Sequence, residues 1–95
     1  MDDPKLLTIA QFQQHISRKY EAVDRARGTP GTFRHFMEEV GELAAALMTQ
    51  DRANLHEEFA DCIAWLCTLA NINDVPLAEA VAQKYLGERP PQGHK

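Results

Sequence analysis

Between Glu38 and Gln83 the chain carries nine acids (Glu38, Glu39, Glu42, Asp51, Glu57, Glu58, Asp61, Asp74 and Glu79) and one base, Arg52. The other residues hold five acids and nine bases, so an acidic centre of −8 is flanked by ends that sum to +4. The central acids are not scattered. Glu39 and Glu42, then Glu58 and Asp61, recur three residues apart within segments whose apolar residues recur at gaps of three and four. Any fold must therefore place rows of like charge along helices and find something to neutralise them.

Four helical segments are readable. The first starts at Thr8, a good N-cap, and repeats Ile9, Phe12, Ile16, Tyr20 and Val23. It ends at the breaker cluster Arg27-Gly28-Thr29-Pro30-Gly31. Thr32 is expected to cap a second helix running to about Met48, with the stripe Phe33, Phe36, Val40, Leu43 and Leu47. A polar link at 49–53 leads to Asn54, the expected cap of a third helix with Leu55, Phe59, Cys62, Ile63, Leu66 and Leu69, ending near Asn71. Asn73-Asp74-Val75-Pro76 forms a turn, and Pro76 suits the start of a short fourth helix with Leu77, Val81 and Tyr85 before Gly87. No segment has strand periodicity and there is no internal repeat. The expectation is an all-α antiparallel bundle of about four helices over residues 1–86, with 87–95 a mobile or partner-bound tail.

At 95 residues the chain makes one domain with a marginal core of its own. The second helix is apolar on one side and small-plus-acidic on the other, which calls for neighbours on both. A homodimer or homotetramer, completing the bundle between chains, is therefore expected. Cys62 and Cys67 lie five apart on an apolar helical pattern, pointing about 140° apart, which suits neither a disulfide framework nor a structural zinc pair. They read as core or interface filler. A net charge of −4 argues against a nucleic-acid surface. No charged-then-apolar leader opens the chain and no apolar run spans a bilayer, so a cytoplasmic protein with no membrane partner is expected.

On the second helix Glu38-Glu39-Val40-Gly41-Glu42 forms an E-E-x-x-E pattern. Measured from Phe36, Glu39, Glu42 and Glu38 fall at about 300°, 240° and 200°, one arc opposite the apolar stripe. A solvated acidic face interleaves Lys or Arg at helical spacings. None occurs from Glu38 through Asp51. The neighbours on the arc, Gly41, Ala45 and Ala46, are small, which suggests close approach of another element. The third helix places Glu58 and Asp61 one turn apart, and Trp65 and Thr68 continue their strip. An antiparallel helix pair with a short link would bring the two acidic strips together. Carboxylates so gathered cannot all ionise without a cation. An all-oxygen set suits octahedral magnesium, with manganese as a substitute. The other reading of the same residues is a solvated or interface acid face. A di-iron bundle is excluded, because His15, His35, His56 and His94 all lack a Glu three residues before them.

E-E-x-x-E on one helix, fifteen residues, then E-x-x-D on the next resembles the MazG-like nucleotide pyrophosphohydrolases of the all-α NTP pyrophosphatase superfamily. The resemblance runs from Thr32 to Tyr85 and includes Glu39-Val40-Gly41-Glu42-Leu43-Ala44, Glu58-Phe59-Ala60-Asp61, Leu69-Ala70-Asn71, and Ala80-Val81 followed by Lys84. It implies that Glu39, Glu42, Glu58 and Asp61 coordinate magnesium. It implies that Glu38 holds a second ion or positions the attacking water. The implied reaction cleaves a (d)NTP between the α- and β-phosphates to give a monophosphate and pyrophosphate. Lys84 matches a phosphate-contacting lysine and Asn71 an asparagine near the nucleotide. Trp65, on the carboxylate strip, is placed to stack on a base or wall the site, or to pack at an interface. The chain departs from the family after Tyr85, where Leu86-Gly87-Glu88-Arg89-Pro90 replaces a longer lysine- and asparagine-rich helix. A rival from another class is a non-catalytic interaction or nucleotide-sensing module that binds metal without turnover.

Overall fold

The computed structural model describes residues 3–87; among these every regular element is helical. A 3₁₀ turn, Pro4–Leu6, precedes α1 (Ile9–Leu47), α2 (Arg52–Ile72) and α3 (Leu77–Tyr85). The tail expected over 87–95 lies, apart from Gly87, outside the described residues. Thr8 caps α1 as expected. Its hydroxyl accepts from Gln11 N, and the Gln11 side chain accepts from Thr8 N at 2.9 Å, a complete capping box.

The two expected N-terminal helices are present as the arms 9–27 and 29–47 of α1, which meet at a kink at Gly28, so the break falls within the expected cluster but takes one residue and not a loop. A straight helix of 39 residues would run about 58 Å. The longest dimension of the molecule is 39 Å, so α1 must double back. Only Gly28 leaves helical geometry, at φ 81° and ψ 172°, a backbone region other residues avoid. Pro30 is tolerated because it sits in the first turn of the second arm, where an N–H has no helical partner anyway. The cluster 27–31 thus makes a corner and not a loop. Thr32 is consequently not a cap. It lies fully buried one turn inside the arm, accepting from Arg27 Nη1 at 3.3 Å. The cap of α2 also differs from expectation. It is Asp51, whose carboxylate accepts from Asn54 N at 3.1 Å. An anionic acceptor there also complements the helix dipole, which Asn54 cannot do.

α2 packs along α1, and α3 touches α1 more lightly. The C-terminal end of α2 is tied to the first arm by a set of amides and one arginine. Asn71 Nδ2 donates to Gln13 O at 3.2 Å, and Arg25 Nη2 donates to Asn71 O at 3.0 Å and to Asp74 Oδ1 at 2.7 Å. Gln13 Nε2 donates to Val75 O, and Leu77 N donates to Gln13 Oε1, clamping the turn into α3. Asp74 takes a positive φ of 56°, and Val75 N reaches Ala70 O at 2.9 Å, the six-to-one bond that closes a helix C-terminus.

The apolar side chains that this packing buries are few: Ile16, Ala46, Cys67 and Ala70. Phe33, Met37 and Leu47 on the second arm of α1, and Phe59, Ile63 and Leu66 on α2, stay 40–55% exposed. The small residues on the acidic arc are covered only in part. Ala46 is buried, but Ala45 is exposed and a Cβ added at Gly41 would meet nothing within 4 Å.

Candidate metal centre

The second arm of α1 and the facing half of α2 run antiparallel, in a register set by the short link 48–51. Positions 42, 39, 35 along α1 descend as 58, 61, 65 ascend along α2, each step one helical turn. Side-chain oxygens of Glu39, Glu58 and Asp61 lie within 4.8 Å of one another. Glu42 stands against both Glu39 and Glu58 and raises both of them. One turn further on, His35 stacks on Trp65 with ring centroids 4.9 Å apart. Two acidic strips read on separate helices are therefore one cluster.

Its electrostatics are those of carboxylates crowded together under partial shelter. Burial, Glu42, Asp61 and Glu58 together push the Glu39 carboxyl up to about 7. Glu58 is raised by burial first, then by Glu42, Asp61 and Glu57. Glu39 Oε2 and Glu58 Oε2 are buried without a hydrogen-bond partner among the described residues. Among the described residues neither group forms an ion pair with a Lys or Arg. The donor set is entirely carboxylate oxygen, partly sheltered and converging, which fits a hard divalent cation held with waters. Cys62 borders the cluster, its thiol pushed up by burial and then by Glu39, Glu58, Asp61 and Glu42.

The remaining expected site residues are not gathered here. Glu38 is exposed, its Oε1 3.8 Å from Arg34 Nε, and it is not among the three carboxylates whose oxygens converge. Asn71 lies ten residues beyond Asp61, about 15 Å along α2, with its amide joined to Gln13. Lys84 is exposed on α3 with Nζ 5.3 Å from the Tyr85 ring centroid. Trp65 is half-buried, with His35 on its ring and the Arg27 guanidinium 5.1 Å from its centroid.

Sequence reasoning missed three residues beside this strip: His35, Asp24 and Arg27. His35 falls on the same arc as Glu39, one turn before it, so helical spacing alone could have found it. Thr68 was placed on the strip without a role. Asp24 and Arg27 look like an ordinary i,i+3 surface pair. In the fold Asp24 is buried to 4% exposure, held by Arg27 and by Thr68 of α2.

Residues 29–93 match the family model of the MazG nucleotide pyrophosphohydrolase domain, starting at the residue after Gly28 and taking in both acidic strips. No curated protein gives a match. With well over half its length covered by that match, and with the family's two carboxylate motifs converging on one cluster, the chain belongs to the MazG nucleotide pyrophosphohydrolase domain family.

Proposed function

We propose that the protein is a divalent-cation-dependent hydrolase that cleaves nucleoside triphosphates between the α- and β-phosphates, releasing a nucleoside monophosphate and pyrophosphate. The observation that carries this is the pair of buried, unpartnered oxygens, Glu39 Oε2 and Glu58 Oε2, within a carboxylate cluster that no basic residue neutralises. Glu39, Glu42, Glu58 and Asp61 would hold magnesium, or manganese in its place. Such a cation, when bound, neutralises phosphate charge and lowers the pKa of coordinated water.

The side chains contribute in two ways. The cluster repels a free polyanion, so only a cation-loaded nucleotide is admitted. Its shelter against α2 fixes the carboxylates before substrate arrives, which avoids reorganisation during the reaction. Glu38 is assigned the proton of the attacking water, or a second ion. In the structure it rests on Arg34 in solvent, so this role requires its side chain to turn toward the cluster. That placement also favours one rival, a nucleotide-binding module without turnover. Lys84 and Asn71 are assigned phosphate and nucleotide contacts through the family resemblance alone.

The assembly proposed is a homodimer or homotetramer in which the exposed apolar faces of α1 and α2 complete a four-helix bundle between chains. Among the described residues no helix is long and apolar enough to cross a membrane. The deciding experiment incubates purified protein with each dNTP and magnesium and measures pyrophosphate. Release that depends on magnesium supports the enzyme. Tight nucleotide binding without pyrophosphate from any substrate would leave the non-catalytic module in its place.

A further inference from the structure

Trp65 follows Asp61 by one turn on the strip, yet close packing does not fix its ring. The indole is half-buried and borders a cavity of about 320 Å³ lined also by Ile16, Tyr20 and Ala64. A ring beside open space keeps several rotamers unless something other than close packing selects one. Two groups of this chain lie on it. His35, from the second arm of α1, stacks on the indole with centroids 4.9 Å apart and planes 16° from parallel. Arg27, at the end of the first arm, sets its guanidinium 5.1 Å from the ring centroid.

Arg27 is itself held along its length. Its Nη1 donates to Asp24 Oδ1 at 3.0 Å and to Thr32 Oγ1 at 3.3 Å, and both acceptors belong to buried residues. Asp24 Oδ2 in turn accepts from Thr68 Oγ1 at 3.1 Å, so the ion pair is anchored on α2 three residues beyond the ring. The stem of Arg27 runs over Gly31. A Cβ there would stand 3.1 Å from Arg27 Cγ, so a larger residue would push the stem aside. A planar guanidinium bonds a carboxylate with its edge while its face lies on a ring, which a lysine ammonium cannot do.

We propose that Arg27 is a positioning residue that fixes the indole of Trp65 as a wall beside the carboxylate cluster, and that Gly31 is required to seat it. Arg27 stands directly before the Gly28 kink and ahead of the residues that match the family, so the first arm shapes the surroundings of the cluster. A ring set before substrate arrives spares binding the cost of ordering it. Loss of the hold therefore falls on substrate binding and not on the chemical step. That kinetic consequence rests on the pyrophosphohydrolase reading, whereas the hold on the ring does not.

Trp65 is the only tryptophan of the chain, so fluorescence reports on it alone. The test compares the unaltered protein with Arg27→Lys, which keeps a cation for Asp24 without a flat face for the ring, and with Gly31→Val, which keeps Arg27 and crowds its stem. Both should raise the acrylamide quenching constant of Trp65 about twofold and KM for the magnesium-loaded dNTP cleaved best roughly tenfold. The kcat should stay within about twofold, and the magnesium-dependent rise in Tm should persist, because neither variant touches a carboxylate. Parental quenching in Arg27→Lys overturns the proposal. Raised quenching with parental KM overturns the wall, since the ring would then be held but border no substrate. Parental quenching in Gly31→Val alone removes Gly31 from the device, and if that variant fails to fold Gly31→Ala replaces it. Quenching needs no substrate, so failure of the unaltered protein to release pyrophosphate would overturn the pyrophosphohydrolase reading while quenching still decides the hold of Arg27 on Trp65.

Discussion

Glu39 carries the clearest consequence of the cluster. Its carboxyl titrates near 4.5 in the unfolded chain and is pushed up to about 7 in the fold, by burial first and then by Glu42, Asp61 and Glu58. Between those values the native state holds a proton that the unfolded state has lost, so stability falls as pH rises. Glu58 acts in the same direction. The metal-free protein should therefore melt at a lower temperature at pH 7.5 than at pH 5. Millimolar magnesium should reverse that loss beyond the effect of an ionic-strength-matched monovalent salt, because it binds the native state. Scanning fluorimetry with chelator and with magnesium reads both effects, and parallel curves would remove the specific site. A second expectation separates roles within the motif. Asp61→Asn should abolish the magnesium shift and activity together. Glu38→Gln should keep the shift while lowering kcat on the order of 10²–10⁴, as removal of a general base does. Parental turnover by Glu38→Gln would make Glu38 part of a solvated surface, paired with Arg34. The clustering of Glu39, Glu58 and Asp61 was legible because spacing within a helix fixes which side chains share a face. Asp24 was not, since its burial depends on a contact with Thr68, 44 residues away, that no local pattern encodes.

The helices themselves show what propensity can and cannot specify. Apolar periodicity located the α-helical segments though not the 3₁₀ turn Pro4–Leu6, and Thr8 was readable as the first cap. The errors lie at the junctions. Gly, Thr and Pro at 27–31 signal that the chain must turn, but not whether it does so through a loop or a single residue. Gly28 alone suffices, at φ 81°. Gly28→Ala should destabilise by about 1–3 kcal/mol, the cost of holding a side chain in that backbone region. The cost would be conformational and not steric, because an added Cβ would meet only Pro30 Cδ, at 4.0 Å. At the start of α2, Asp51→Ala should cost about 1 kcal/mol through loss of the cap, and Asn54→Ala much less. Denaturant midpoints of the three variants decide this, and equal losses at Asp51 and Asn54 would restore the original cap.

At the scale of the whole molecule the described fold solves only half of its burial problem. The core holds one large aliphatic side chain, Ile16, beside Ala46, Cys67 and Ala70, while Phe33, Phe59 and Ile63 are each about half exposed. A contiguous apolar surface is what the proposed homodimer or homotetramer would cover. Leu7, Phe12, Phe59 and Ile63 border one apolar hollow, and Leu66, Leu77 and Val81 border the next, so the surface is continuous across the first arm, α2 and α3. A second copy supplies the same apolar surface in return, which a two-fold assembly requires. Gly41 and Ala45, open in the single chain, leave room beside the carboxylates for a close helix–helix approach. Light scattering at micromolar concentration should therefore find a species of at least twice the 10.7 kDa chain mass. Ile63→Lys places a charge within that surface and should shift the population toward the monomer. It should also lower the melting temperature and make it depend steeply on protein concentration, since folding and association then share one free energy. An unaltered chain that runs as a stable monomer and still releases pyrophosphate would show that the exposed faces of α1 and α2 need no partner.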